Sequence, residues 1–252
     1  MLPGNCGRLL TRMHIRTPAM GLIRKKGSEL ALATGMHKLG LCDRDSGIRN
    51  ILCLGAHSDD IEIGCGGTIL RLLERNPRLN FYWVVFSSSP RRKREALAAA
   101  RLFLGAAVRH QVVIRSFRDS FFPHEWKGIK EFFASIGKRF QPDLIFTHYR
   151  NDLHQDHRVI SELTWNAFRD HLILEYEIPK YDGDFGSPNF FVDLDAAVCE
   201  KKIHNIMASF RSQSGKQWFT EDTFRALLRI RGVESNAEGR YAEGFYGRKA
   251  LL

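Results

Sequence analysis

The stretch "LGAHSDDIEIGCGG", Leu54 to Gly67, decides how this chain is read. A short apolar run, "ILCLGA" over 51–56, ends in a histidine and two adjacent aspartates, with three glycines close behind. Neighbouring carboxylates repel each other, so a chain that keeps them holds a cation, moves a proton or caps a helix there. A strand-to-helix turn that aims His57 and a carboxylate of the pair at one point suits Zn²⁺, whose N and O ligands lie at about 2.0–2.2 Å. Gly64, Gly66 and Gly67 admit a second reading, a phosphate cradle at a helix N-terminus in a nucleotide-binding module. That reading is poorly supported: "GCGG" is neither nucleotide fingerprint, and no acid lies about 20 residues on, since Glu74 is too early and Glu95 is next. A tight turn and close packing beneath the His57 loop explain the glycines equally well.

Outward from this stretch, apolar strands and amphipathic helices alternate. "GTILRLLERN" (67–76), "RRKREALAAARLFLG" (91–105), "HEWKGIKEFFASIGKRF" (124–140) and "HRVISELTWNAFRDH" (157–171) have helical spacing. "LNFYWVVFSSS" (79–89), "HQVVIRSF" (110–117), "PDLIFTHY" (142–149) and "LILEYEI" (172–178) read as strands. This order predicts an α/β fold, a Rossmann-like mostly parallel sheet with helices on both faces. Residues 179–194 are turn-rich and aromatic, and helices are expected over 195–210 and 220–232. Ligands of such sheets bind beyond the carboxyl ends of the strands, which is where His57 lies.

A second cluster lies at the same edge. "THYRNDLHQDH", Thr147 to His157, follows the fourth strand and packs three histidines and two aspartates into its last ten residues. Within its core, His154 to His157, one histidine can bind metal while the other, held by a carboxylate, works on substrate. A polar loop with Asp156 capping a helix, and a loop histidine at position 57, would account for either motif alone. Two His/Asp clusters at one edge of one sheet are much harder to explain that way. Two histidines and one carboxylate leave positions open for water, as catalytic zinc sites do, and the other aspartate of the pair is then free to accept a proton.

Composition narrows the classes. The net charge is +10, but residues 1–50 hold nine Lys/Arg against three Asp/Glu, so the body is only mildly basic and no nucleic-acid partner is expected. No apolar run reaches the roughly 20 residues of a transmembrane helix. Five scattered cysteines, Cys6, Cys42, Cys53, Cys65 and Cys199, form no C-x-x-C pair and fit a reducing, cytoplasmic setting. Residues 1–48 lack periodicity and read as a basic, disordered extension ahead of a domain over 49–252. Homo-oligomerisation is compatible with the sequence.

Together, "AHSDDIEIGCGG" and "HQDH" resemble the paired signatures of the LmbE-like, or PIG-L, deacetylases, A-H-P-D-D and H-x-D-H, over roughly residues 50–250. The resemblance implies a zinc-dependent removal of the N-acetyl group from a glucosamine-type sugar or its conjugate. It implies His57, Asp60 and His157 as zinc ligands and Asp59 as general base. It also implies that His154 stabilises the oxyanion or protonates the leaving amine, oriented by Asp156, whose charge is expected to keep it an imidazolium. Arg92 of "RRKREA" is the choice for substrate binding, with Arg91 and Arg94 as alternatives. Ser58 departs from the usual proline, so a less rigid turn is expected. A zinc amidase acting on a thiol–sugar conjugate is the neighbouring alternative. Trp218, Tyr241 and Phe245 are candidates to stack on a sugar, with core packing as the default.

Overall fold

The computed structural model describes Met1, residues 39–40 and residues 47–251; most of the expected extension, with Cys6 and Cys42, lies outside the described residues. The elements run β1 (Asn50–Gly55), α1 (Asp60–Arg75), β2 (Asn80–Val85), α2 (Pro90–Leu104), β3 (Arg109–Ile114), α3 (Trp126–Arg139), β4 (Leu144–His148), α4 (Gln155–Ala167), β5 (Leu172–Tyr176), β6 (Phe190–Leu194), α5 (Ala196–Ser209), α6 (Glu221–Glu234) and β7 (Tyr241–Gly247), with a 3₁₀ turn at Arg211–Gln213.

One seven-stranded sheet has the order β3-β2-β1-β4-β5-β7-β6. The first five strands are parallel, as expected; β7 runs antiparallel to both β5 and β6. Strand alternation sorts the core into two layers. Ile51 and Cys53 of β1 join Phe81, Trp83 and Val85 of β2 on the face covered by α1, α2, α5 and α6. Leu52 and Leu54 join Tyr82 and Val84 on the face covered by α3 and α4. The strand order reverses at β1, which lies between β2 and β4, and ligands of open α/β sheets bind at the carboxyl ends of the strands beside such a reversal.

Two sequence expectations change here. Apolar spacing places the start of the first helix near Gly66, but the helix starts at Asp60, so the glycines form no turn: they lie inside α1, beside a kink at Cys65 (φ −140°, ψ 15°). They serve close approach instead. A Cβ on Gly64 would stand 2.1 Å from the Tyr176 ring, one on Gly66 2.6 Å from Phe103, and one on Gly67 2.5 Å from Leu194. Backbone groups at the kink find side-chain partners. Gly67 and Thr68 N–H donate to the Glu243 carboxylate at 2.8 and 2.6 Å. Buried Lys202 donates to the Ile63 carbonyl at 2.6 Å and to Glu243 at 2.5 Å. A phosphate cradle at these amides is thereby ruled out, because a carboxylate of the chain already occupies them.

The second change is the β6–β7 pair, which the turn-rich reading of 179–194 and the glycines of β7 concealed. Gly244 lies under Pro188 and Gly247 under the Phe190 ring, where side chains would collide. Phe245 is fully buried in the sheet, and Trp218 and Tyr241 pack against the core, so all three aromatics follow the core default. Cys53, Cys65 and Cys199 are free and buried. Among the described residues, no helix is long and apolar enough to cross a membrane.

Replacing Gly64 tests the packing under α1. Alanine in a helix interior would gain up to about 1 kcal/mol in propensity, but overpacking a filled core costs about 1–3 kcal/mol. With the Tyr176 ring 2.1 Å from the new methyl, the clash should win. Gly64→Ala is expected to lower the urea midpoint. Gly215→Ala, with nothing within 4 Å of its Cβ, should leave it unchanged or raise it. Equal midpoints for the two variants would contradict this packing account.

Candidate active site

Residues 56–59 connect β1 to α1, and residues 149–154 connect β4 to α4. Because β1 and β4 are parallel neighbours, both connections leave the sheet at one edge and meet there. Asp60 opens α1, His154 caps α4, and Asp156 and His157 lie in the first turn of α4.

Three of the expected residues converge on one point. His57 Nδ1 lies 3.2 Å from His157 Nε2 and 3.5 Å from Asp60 Oδ2, and His157 Nε2 lies 3.6 Å from Asp60 Oδ1. Ligands about 2.0–2.1 Å from a tetrahedral ion are separated by about 3.4 Å, so this triangle can hold one divalent cation. The outer nitrogen of each histidine meets an aspartate: His57 Nε2 is 3.1 Å from Asp156 Oδ2, and His157 Nδ1 is 2.9 Å from Asp152 Oδ2. Such carboxylates fix the ring orientation and tautomer of a metal-binding histidine. Two overlapping trios, His57/His154/Asp156 and His148/Asp152/His157, have donor atoms as close together, but their donors are already engaged. His148 Nε2 accepts from Ala56 N–H at 2.9 Å. Asp156 accepts from the backbone N–H groups of Ser120 and Phe122 at 2.7 and 3.1 Å.

The electrostatics show what the cluster lacks. Burial opposes a proton on His57, yet Asp60, Asp119 and Asp156 outweigh it and hold the imidazole pKa well above its ordinary value. Burial would raise Asp60, but His157, His148 and His57 keep it well below the carboxylate range. His157 moves the other way: burial and then the neighbouring His148 push it down to about 3, so it is neutral and its Nε2 can act as a donor. Glu62, in the first turn of α1, is driven well up by burial and by Asp59 and Asp60, which favours its protonated form. The polypeptide alone therefore concentrates negative charge at Asp60 and gathers a proton on His57 to offset it.

His154 differs from expectation. Its Nδ1 accepts from Asp156 N–H at 3.2 Å as the cap of α4, and burial and the charge on His57 lower its pKa. The lowered pKa favours the neutral imidazole, and with Nδ1 accepting from the cap amide its proton lies on Nε2. The Asp156 carboxylate does not hold it; that carboxylate holds His57 and the loop at Ser120 and Phe122. The reason is local, since a helix-capping ring turns its acceptor onto the helix's own amide.

Asp59, buried beside the ligand triangle, accepts from Arg92 Nη2 at 2.6 Å. Arg92, the expected substrate contact, is thus in place at the site but engages Asp59. It also lies 3.3 Å from Ser212 Oγ and stacks over Phe210 at 5.3 Å. Ser58, in place of proline, lies 2.9 Å from Ser88 Oγ, which braces the turn from the end of β2. Asp152, His148 and Asp119 received no role from the sequence. The first two lie inside the quoted "THYRNDLHQDH", but spacing alone could not say which groups face the ion.

The family described as PIG-L: GlcNAc-PI de-N-acetylase matches residues 52–168. Among solved structures, N,N′-diacetylchitobiose deacetylase from Pyrococcus horikoshii is 21% identical, with 80% of this chain and 84% of that one covered and a TM-score of 0.62. The conserved protein TT1542 from Thermus thermophilus is 20% identical over 80% of this chain and 96% of its own, with a TM-score of 0.64. GalB, the 4-carboxy-2-hydroxymuconate hydratase from Pseudomonas putida, is 19% identical over 81% and 98%, with a TM-score of 0.60. At these identities the structures speak for the fold. The family match runs from within β1 to just past α4 and contains His57, Asp60 and His157. Residues 52–168 of this chain therefore carry a PIG-L, LmbE-like family domain.

Proposed function

We propose that the chain is a cytoplasmic, zinc-dependent N-deacetylase that removes the N-acetyl group from an N-acetylated amino sugar or its conjugate. The observation that carries this reading is the His57–Asp60–His157 triangle, with a carboxylate behind each histidine and Asp59 beside it. The PIG-L family match and the deacetylase named for Pyrococcus horikoshii support the bond and the sugar class. Free, buried cysteines support a reducing compartment.

His57, Asp60 and His157 would hold the ion, which supplies Lewis acidity to the acetyl carbonyl and acidifies water. Asp59, fixed by Arg92, takes the proton of the attacking water. His154 donates its Nε2–H to the oxyanion. A neutral imidazole cannot give up that proton without becoming imidazolate. The proton that reaches the departing amine is therefore the one Asp59 accepted, and acetate and a free amine leave. The hydratase on the same fold shows that the fold alone does not choose the reaction. A screen of N-acetylated and other N-acylated amino sugars, read by acetate release, tests the proposal. Amine release with some other acyl product, and no acetate, would favour the amidase reading.

This assignment of roles makes two measurable demands. Asp59→Asn should keep its zinc and lose kcat on the order of 10²–10⁴-fold; an empty site in that variant would make Asp59 a ligand. The second demand concerns protons. The His57 pKa is raised and that of His157 lowered to about 3, so zinc uptake at pH 7 should release the proton of His57, plus the fraction lost by water on the ion. Zinc affinity should fall as pH drops, because protons then compete for His57. Calorimetric titration in buffers of differing ionisation enthalpy reads this number directly. Proton release near zero would break the assignment.

A further inference from the structure

The segment between β5 and β6, residues 177–189, is tied to the proposed metal centre by a chain of buried charges. Asp152 Oδ2 lies 2.9 Å from His157 Nδ1 and accepts from Lys180 Nζ, also at 2.9 Å. Lys180 also donates to both Asp184 oxygens, at 2.7 and 2.6 Å. Asp184 Oδ2 accepts from Leu153 N–H at 2.6 Å, and Asp152 Oδ1 accepts from His154 N–H at 2.8 Å, so both acids clamp the β4–α4 connection. None of these three side chains is more than 8% exposed. A carboxylate this deep needs a full positive charge beside it, and Lys180 supplies it from the far segment.

We infer that Lys180 is a positioning residue for the metal site: it holds the Asp152 carboxylate in place against His157, so that ion binding and docking of residues 177–189 stabilise each other. The inference rests on the proposed ligand set. Without the ammonium, Asp152 Oδ2 keeps only His157 and loses the contact that ties it to the far segment, so the carboxylate is freer to turn and the His157 ring with it. Removing the carboxylate partner of a metal-binding histidine typically costs 10–100-fold in metal affinity, and Lys180 should account for much of that. Linkage is reciprocal, so zinc should in turn protect the 177–189 backbone.

The test uses the full chain and zinc itself. Zinc affinity by competition with a chromogenic chelator is compared for wild type, Lys180→Met, Asp152→Asn and the double variant, with thermal melts alongside. Hydrogen exchange of residues 177–189 is followed with and without zinc. Lys180→Met should bind zinc about 10-fold or more weakly. The double variant should be no weaker than Asp152→Asn alone, because both act through one contact. Zinc should slow exchange in 177–189 in wild type and not in Lys180→Met. If Lys180→Met does not fold, Asp184→Asn carries the test: it leaves the Lys180–Asp152 contact, so zinc affinity and zinc protection of the segment should both hold, and loss of either would overturn the inference. An unchanged affinity in Lys180→Met, additive losses in the double variant, or no zinc protection in wild type would overturn the inference. Wild-type chain that binds no zinc would overturn the ligand set itself, which separates the two failures.

Discussion

Asp60 has to stay ionised where water cannot reach it, and most of the crevice is arranged around that constraint. It is 3% exposed, accepts from His57 N–H at 2.6 Å and faces the imidazoles of His57, His148 and His157. A buried carboxylate without such partners would take up a proton instead. The histidines are in turn held by Asp152, Asp156 and Asp119. Charge at one residue therefore sets the orientation of rings on two connections that lie about a hundred residues apart in the chain. The parallel pairing of β1 with β4 makes the meeting possible, because both strands deliver their loops to the same edge.

The kink of α1 serves the same end. A helix that began at Gly66, as the apolar spacing suggests, would leave Asp60 in a loose loop. By starting at Asp60 and breaking at Cys65, the helix brings Asp60 into a first turn packed against the sheet, and the glycines let it sit directly on Tyr176 and Phe103. Lys202 and Glu243 satisfy backbone groups around the break. The Tyr176 hydroxyl, beneath the same helix, donates to the Leu54 carbonyl at 2.6 Å, which fixes the last turn of backbone before His57.

What the sequence makes legible follows from range. Strands β1 to β5 and their helices declare themselves through local periodicity, and His57, Asp59, Asp60, His154, Asp156 and His157 through two compact motifs. The contacts that organise those motifs are long-range. Glu243 meets Gly67 across 176 positions, and Arg231 meets Glu177 across 54. Lys180 and Asp184 lie in a segment whose composition reads only as turns. The orientation of Asp156 escapes sequence reading for a subtler reason. A carboxylate two residues from His154 looks like its partner on paper, but the first turn of a helix points the two side chains apart, and His57, 99 positions away, is the nearer ring.

That geometry decides between two proton economies. Had Asp156 faced His154, the chain would hold an imidazolium ready to protonate the amine, with the acid and base on separate residues. Instead His154 spends its Nδ1 on the cap of α4, and the charge on His57 disfavours a second proton. A divalent ion at the triangle would disfavour it further. Lysine and arginine go to the outer carboxylates, Lys180 to Asp152 and Arg92 to Asp59, while Asp60 and Asp156 meet only histidines and backbone amides. The demand for positive charge is thus focused along the Asp60–His57–Asp156 line, where either a proton or a metal ion can meet it. In the proposed function, Asp59 beside the triangle is the group that accepts a proton and returns it. Arg92, placed 2.6 Å away, keeps its carboxylate beside the triangle while it does so.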